Sequence, residues 1–293
     1  MNNKTDLGEE ILKIVDWQSQ ARDSGLVDDM RENNPSSHYD LVRIAFPPPI
    51  GERYCFANKD QEKYELLQGS RGGSAPLVGD FDYSSDIEEL MESARKQMEG
   101  YDWREDVRKE ELDTLSEGDK LPQFKFEDIK SVAELGFRMP LLMKYYHEKL
   151  GARTIGYDVL DLNIATGRYL GYDTRKYDFN ICEGDLDLDV DLVISYHMLE
   201  HTTNPLKAIK KIYDSMKPGS FFHVEIPIEG HPSQVPSIPN IRYCHMYPFH
   251  PFDMMHMLNL SGFETLYWST KTGVEGYLIE RYFAQKPGED DES

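Results

Sequence analysis

The chain has 293 residues, of which 39% are hydrophobic and 12% aromatic, a composition that supports a real core and argues against global disorder. Its 53 acidic residues against 32 basic ones leave a formal charge of −21, which disfavours broad nucleic-acid binding because that depends on neutralising phosphates. There is no apolar run near the roughly 20 residues that span a bilayer, no signal-peptide pattern and no CxxC among the three cysteines, so we expect a soluble, cytoplasmic protein.

Residues 1–125 are predicted to form a mostly helical N-terminal extension that shows no chemistry of its own. A capping signature followed by an apolar stripe predicts a helix near its start, and a second helix is predicted to end at Met98. One strand-like run, 41–46, stops at three consecutive prolines. Residues 104–120 carry dense charge of both signs and are predicted to be a solvated helix or linker. The extension is a candidate lid or a substrate or oligomer region.

Strand and helix signals alternate in the second part of the chain, a domain that we place at 126–288, ahead of an acidic tail at 289–293. Strands are predicted at 132–135, 153–158, a stretch ending near Asp178, 191–195, 220–226, 262–268 and 277–285, and helices at 141–150, 162–170, 205–216 and after 251. Because parallel strands need crossover connections, this alternation predicts an α/β fold with a seven-stranded, mostly parallel sheet and helices on both faces. No helix is predicted between the last two strands.

Two passages in the first half of this domain are similar to a cofactor-binding pattern. The first strand runs through Glu134 into Gly136, and Asp158 ends the second strand 22 residues after that glycine. This order resembles the Rossmann-like class I S-adenosylmethionine-dependent methyltransferases. The resemblance implies that Glu134, Gly136 and Arg138 lie against S-adenosylmethionine, with Arg138 on its carboxylate and Asp158 accepting its ribose hydroxyls.

A later stretch, 159–167, is also similar to the glycine motif of that family. Choosing it would leave no room for a crossover helix before Asp173, whereas parallel strands need a connection of about a dozen residues. We therefore prefer the turn at Gly136. That turn keeps only one of the usual glycines. The loss of the others weakens the hypothesis of a dinucleotide cofactor more than that of S-adenosylmethionine, because a pyrophosphate needs those glycines.

The resemblance also implies an acid on the adenine side of the cofactor. Asp178 stands 13 residues before Asp191 and Asp185 only six, and the family spacing of about a dozen favours Asp178, with Phe179 beside the adenine ring.

The passage after the fourth strand is the most specific match to the family. It runs from Ser195 through His197 to His201, followed by Asn204 and Pro205, and resembles the family's Leu-Glu-His passage. The resemblance places Ser195 and His197 at the cofactor.

Four histidines lie on segments expected at the carboxyl edge of the sheet, where open α/β sheets bind ligands. As catalytic base we prefer His245 and then His197, since an imidazole suits proton removal from a hydroxyl or amine. His201 is expected to fix its loop, and His250 follows in the substrate-side segment. A zinc site from these histidines stays possible but has no spacing signature, so no metal is predicted.

The alternating acids at 185, 187, 189 and 191 suit either a hard-metal site or the exposed face around a turn, and we prefer the exposed face.

These features together predict methyl transfer from S-adenosylmethionine to a small molecule, with a sugar or metabolite hydroxyl as the first candidate. The passage after the fourth strand lacks the Asn/Asp-Pro-Pro-aromatic motif associated with nucleobase amines. Two alternatives remain open. One is a nucleotide-dependent oxidoreductase or sugar-modifying enzyme on a similar sheet, and the other is a catalytically silent interaction module.

Overall fold

The computed structural model describes residues 39–45, 52–58, 96, 112–117, 121–202, 204–228, 245–272 and 278–288. The predicted first helix and the acidic tail lie outside the described residues, and of the predicted helix that ends at Met98 only Lys96 is described, as helical. Within the described part, no helix is long and apolar enough to cross a membrane.

The N-terminal extension contains an antiparallel strand pair, β1 (Tyr39–Ala45) and β2 (Glu52–Asn58). The predicted strand at 41–46 is therefore confirmed, while β2 was missed. Helical residues of the extension are Lys96 and 112–117, so its described part is mixed rather than mostly helical.

The main sheet has seven strands, as predicted, in the order β5-β4-β3-β6-β7-β9-β8. Their bounds are β3 Ser131–Leu135, β4 Arg153–Asp158, β5 Asp173–Lys176, β6 Leu192–Tyr196, β7 Phe221–Ile228, β8 Glu264–Thr272 and β9 Leu278–Gln285. Six of the seven strands run in one direction, and β9 runs in the opposite direction between β7 and β8. β3 and β6 are buried at every position, because a central parallel strand is covered on both faces.

Helices cover both faces of the sheet, as predicted. They are α1 (Leu141–Leu150), α2 (Asp161–Tyr169), α3 (Pro205–Ser215) and α4 (Asp253–Ser261). One hydrophobic cluster joins α3 and α4 to the face that carries Ala133 and Val193, and a second joins α1 to the opposite face, which carries Val132 and Leu192.

The second cluster also includes residues upstream of the predicted domain start at 126. Leu112 and Leu115 are 2% and 3% exposed, and Leu121 and Phe124 are fully buried in the same cluster. The prediction of a solvated segment at 104–120 is therefore wrong for this face of the helical residues 112–117, because leucines at a spacing of three lie on one side of a helix.

At the amino end of the sheet, the carboxylate of Asp191 fastens three chain segments together. Its Oδ2 accepts the backbone N–H of Lys130 at 2.8 Å and both the backbone N–H and the hydroxyl of Ser131, at 2.9 and 3.0 Å. Its Oδ1 accepts Nζ of Lys217 at 2.7 Å. Burial alone would raise the pKa of Asp191, but Lys217 and the backbone donors outweigh it and lower that pKa.

The acidic run before β6 alternates with apolar residues, and the exposed-face interpretation is confirmed for three of its four acids but not for half-buried Asp191. Its acids at 185, 187 and 189 are exposed, whereas Leu186, Leu188 and Val190 are buried. The guanidinium of Arg175 forms an exposed ion pair with Asp187 at 3.3 Å.

Candidate active site at the carboxyl end of the sheet

The turn after β3 is built around Gly136, which has a φ of +67°. Its N–H donates to the carbonyl of Tyr157 in β4 at 2.7 Å. A Cβ on this glycine would lie 2.6 Å from Cγ of Met198, so neither the backbone conformation nor the available space accommodates a side chain. Arg138, two residues on, also has a positive φ of 48° and is exposed.

Asp158, at the end of β4, joins this turn to the start of α2. It is 6% exposed. Its Oδ2 accepts the N–H of Arg138 at 3.2 Å and Nδ2 of Asn163 at 3.1 Å, and its Oδ1 accepts the N–H of Leu160 at 2.8 Å. Burial raises the pKa of Asp158, although these hydrogen bonds oppose the rise.

The rejected glycine motif lies mostly inside α2, which spans Asp161–Tyr169. Rejecting it is therefore confirmed, since α2 is the crossover helix between β4 and β5. Asp173 is the exposed first residue of β5.

Two more residues predicted at the cofactor are buried beside the turn. Glu134 is 7% exposed and its Oε2 accepts the N–H of Met143 at 3.3 Å. Ser195 is fully buried and stands opposite Leu135 in the β3–β6 register. Among the described residues, no hydrogen-bond partner reaches the Ser195 hydroxyl. The structure thus brings Glu134, Gly136, Asp158 and Ser195 together around one strand end.

The predicted adenine-side residues follow β5. Asp178 is half-buried, and its Oδ1 accepts the N–H of Asn180 at 2.8 Å. Phe179 is 6% exposed, and its ring lies 4.8 Å from that of Tyr177, so its side chain packs in the core. Asp185, the alternative acid, is exposed.

His197 leaves β6 with a φ of 52° and lies between two buried carboxylates. Its Nε2 is 2.8 Å from Oε1 of Glu225, and its Nδ1 is 3.3 Å from Oε1 of Glu200. Burial disfavours the charged imidazole, but the two carboxylates outweigh it and raise the pKa of His197 to about 9.

Glu200 lies in the short 3-10 helix Leu199–His201 and is 1% exposed. Its backbone carbonyl accepts the N–H groups of Met246 and Tyr247 at 2.7 and 3.1 Å, which brings His245 to the same place. The rings of His201 and His245 are 5.0 Å apart. Burial would raise the pKa of Glu200, but His197, His201 and His245 lower it to about 2.

Sequence reasoning missed Glu225 and Arg281, which form a buried ion pair across β7 and β9. Their side chains are 4% and 7% exposed, and Nζ of Lys271 lies 3.7 Å from the same carboxylate. A signal was available, because each is a charged residue within a strand that is otherwise largely apolar and buried.

The remaining candidates of the substrate-side segment have structural partners. The N–H of His250 donates to Asp253 at 3.2 Å, and the hydroxyl of Tyr247 donates to the same carboxylate at 3.0 Å. Tyr247 and Phe249 are fully buried in the core.

Comparison with known proteins agrees with this geometry. Residues 135–224, from the glycine turn to β7, match the family model described as a methyltransferase domain. The structure of the [4+2]-cyclase SpnF is similar at 12% identity with a TM-score of 0.52, over 77% of this chain and 96% of that chain, and this likeness concerns the fold.

Two further solved structures have lower scores. A SAM-dependent methyltransferase from Methanosarcina mazei has 13% identity and a TM-score of 0.44, over 54% of this chain and 93% of its own. Phosphoethanolamine N-methyltransferase 2 of Haemonchus contortus has 13% identity and a TM-score of 0.46, over 54% of this chain and 49% of its own. No curated protein sequence matches the chain.

The matched segment contains the glycine turn, the acid that ends β4 and the Leu-Glu-His passage after β6, on a seven-stranded, mostly parallel sheet as predicted. Residues 135–224 therefore match a methyltransferase domain, which supports the predicted resemblance to class I S-adenosylmethionine-dependent methyltransferases and S-adenosylmethionine as the cofactor.

Proposed function

We propose that the protein transfers the methyl group of S-adenosylmethionine to a small-molecule acceptor that binds beside the histidines after β6. One contact supports this most directly. Met198 packs on the Gly136 turn, and its chain neighbour His197 binds Glu200 and Glu225. The cofactor turn and the histidine-rich edge are therefore adjacent.

Several features of the site fit the cofactor. The left-handed turn at Gly136 permits a close backbone approach, and the buried Ser195 hydroxyl beside it has an unused hydrogen-bonding capacity among the described residues. In the proposal, Arg138 binds the cofactor carboxylate, Glu134 supports the turn, and Asp178 with Phe179 lies on the adenine side. When bound, the cofactor supplies an electrophilic methyl group, and the protein orients the acceptor for in-line attack.

The proposal requires that the present contacts of Asp158 change when the cofactor binds. Its carboxylate already accepts hydrogen bonds, so ribose hydroxyls would replace Arg138 and Asn163 at Oδ2, while Leu160 keeps Oδ1. Cofactor binding would therefore rearrange the turn after β3.

On the acceptor side, the strongly acidic chain favours a small substrate over a nucleic acid, and a sugar or metabolite hydroxyl remains the first candidate. His245 is the preferred proton acceptor. His197 suits that role less, because two carboxylates keep it protonated at neutral pH; it is better placed to orient its neighbours.

Cofactor binding to the full chain tests the proposal by calorimetry and thermal shift. A ligand that binds only the folded state adds about 2.7 kcal/mol at a hundredfold excess over Kd, so S-adenosylmethionine and S-adenosylhomocysteine should raise Tm. Asp158→Ala should weaken binding at least about tenfold, since two ribose hydroxyls lose their acceptor. Asp173→Ala, on an exposed acid, is the matched control and should bind like the natural chain.

Asn163→Ala separates ribose binding from a purely structural role of Asp158. It removes one competitor for Oδ2 and should leave cofactor affinity equal or higher. Equal loss of affinity in Asp158→Ala and Asp173→Ala, or the absence of any heat and any Tm shift with either ligand, would reject the assignment.

A further inference from the structure

We infer that Glu200, His201 and His245 form a binding site for a divalent transition-metal ion, for which Zn²⁺ is the probe. The inference goes beyond methyl transfer and does not depend on the cofactor. It starts from proximity: one potential ligand atom from each residue lies within 4.8 Å of the others.

The donor set and its spacing suit such an ion. Two imidazoles and one carboxylate are the ligands of many catalytic zinc sites and of non-haem iron centres. At a metal–ligand distance of about 2.1 Å, ligand atoms of a tetrahedral ion are about 3.4 Å apart. The ligand atoms of the observed set must therefore approach one another by at most about 1.4 Å when an ion binds.

The surroundings of Glu200 provide a second observation. Its carboxylate is 1% exposed, and among the described residues neither oxygen has a hydrogen-bond partner of acceptable geometry; His197 stands at an ion-pair distance of 3.3 Å. A buried carboxylate is costly unless charge or hydrogen bonds compensate it. A divalent cation between Glu200 and the two imidazoles would supply that compensation directly.

The ligands are also held in place by neighbouring groups, as metal ligands usually are. The backbone carbonyl of Glu200 fixes the segment that carries His245 through Met246 and Tyr247. His197 bridges Glu200 to Glu225, which in turn pairs with Arg281.

The two imidazoles are half-buried, so a bound ion would keep one side open to solvent or to an acceptor. An imidazole nitrogen that donates its lone pair to a metal cannot take a proton. His245 can therefore serve as the proton acceptor of methyl transfer only in the metal-free protein.

The experiment titrates ZnCl₂ into the chelator-treated full chain, without cofactor, and measures binding by calorimetry and by competition with a chromophoric chelator. We expect one equivalent to bind with a Kd at or below the micromolar range and to raise Tm. His245→Asn and His201→Asn should each weaken binding at least tenfold. His256→Asn, a half-buried histidine of α4, is the matched control and should bind like the natural chain.

Co²⁺ gives a second readout that does not depend on stability. Visible absorption bands should appear with the natural chain and with His256→Asn but not with His245→Asn, whose folding is checked by its melting curve. Binding that is absent, or equal in His245→Asn and His256→Asn, would overturn the site; protonated imidazoles would then compensate Glu200. S-adenosylmethionine binding by the chelator-treated chain is measured separately, so that either proposal can fail alone.

Discussion

The two ends of the main sheet hold buried or half-buried carboxylates in opposite ways. At the amino end, Asp191 receives hydrogen bonds from Lys130, Ser131 and Lys217 on both of its oxygens. Lys130 and Ser131 are adjacent at the start of β3, whereas Lys217 precedes β7, so the carboxylate fixes the starts of neighbouring strands. Such a fully partnered acid contributes to stability.

At the carboxyl end, two polar groups are more deeply buried and less completely partnered. Glu200 is 1% exposed without a well-formed hydrogen bond among the described residues, and the Ser195 hydroxyl is in the same situation. His197 is shared by two carboxylates. Groups held in this way reduce stability and are typical of sites that bind a ligand or do chemistry. We therefore expect the amino end to hold the fold and the carboxyl end to carry the proposed site.

The largest expected loss of stability comes from breaking the buried ion pair at the carboxyl end of the sheet. Arg281→Met leaves the Glu225 carboxylate buried with His197 and the more distant Lys271, and removing one partner of a buried pair costs about 3–5 kcal/mol. Urea denaturation measures the free energy of unfolding.

The matched control for this prediction is Arg175→Met, which removes exposed pairs with Asp173 and Asp187 and should cost about 0–1 kcal/mol. Similar losses of stability in both variants would mean that burial does not strengthen the ion pair between Glu225 and Arg281.

A smaller effect is expected at the glycine turn. Gly136→Ala combines a left-handed backbone with a Cβ 2.6 Å from Met198, so we expect a loss of about 2–4 kcal/mol together with weaker cofactor binding. Gly151→Ala has a similar φ of +63° but meets nothing within 4 Å, and should cost about 1–2 kcal/mol with cofactor affinity unchanged. If the two variants behave alike in melting and in cofactor calorimetry, the close contact with Met198 has no role.

The smallest expected loss of stability is at the amino end of the sheet. Asp191→Asn keeps the shape but removes the charge that pairs with Lys217, and because the pair is partly exposed we expect a loss of about 1–2 kcal/mol in urea denaturation at neutral pH.

The pH dependence of this variant follows from the lowered pKa of Asp191. A carboxylate whose pKa is lower in the folded state contributes stability above its ordinary value of 3.8 and loses that contribution as pH falls through the folded pKa. The difference in the free energy of unfolding between the natural chain and Asp191→Asn should therefore be constant from about pH 5 to 7, because these values lie about one pH unit or more above the ordinary pKa. The difference should shrink in more acidic solution. Cofactor affinity should stay unchanged, and a change there would contradict the separation between the two ends.

Local patterns in the sequence determined the strands of the main sheet, the helices between them and the choice of Gly136 with Asp158 over the later motif. Such predictions succeed because hydrophobic periodicity and the length of a crossover connection are properties of short stretches of chain. The buried leucines of 112–117 were missed because dense charge on one face of a short helix obscured the apolar face.

Only the tertiary structure decided which polar groups meet. His245 reaches His201 because the Glu200 carbonyl binds the backbone beyond it, and Arg281 reaches Glu225 because β9 lies beside β7. These residues are distant along the chain, and no local spacing encodes their contact. The same holds for the protonation of His197, because the energy of a charge depends on burial and on the charges around it, which exist only once the strands have been brought together.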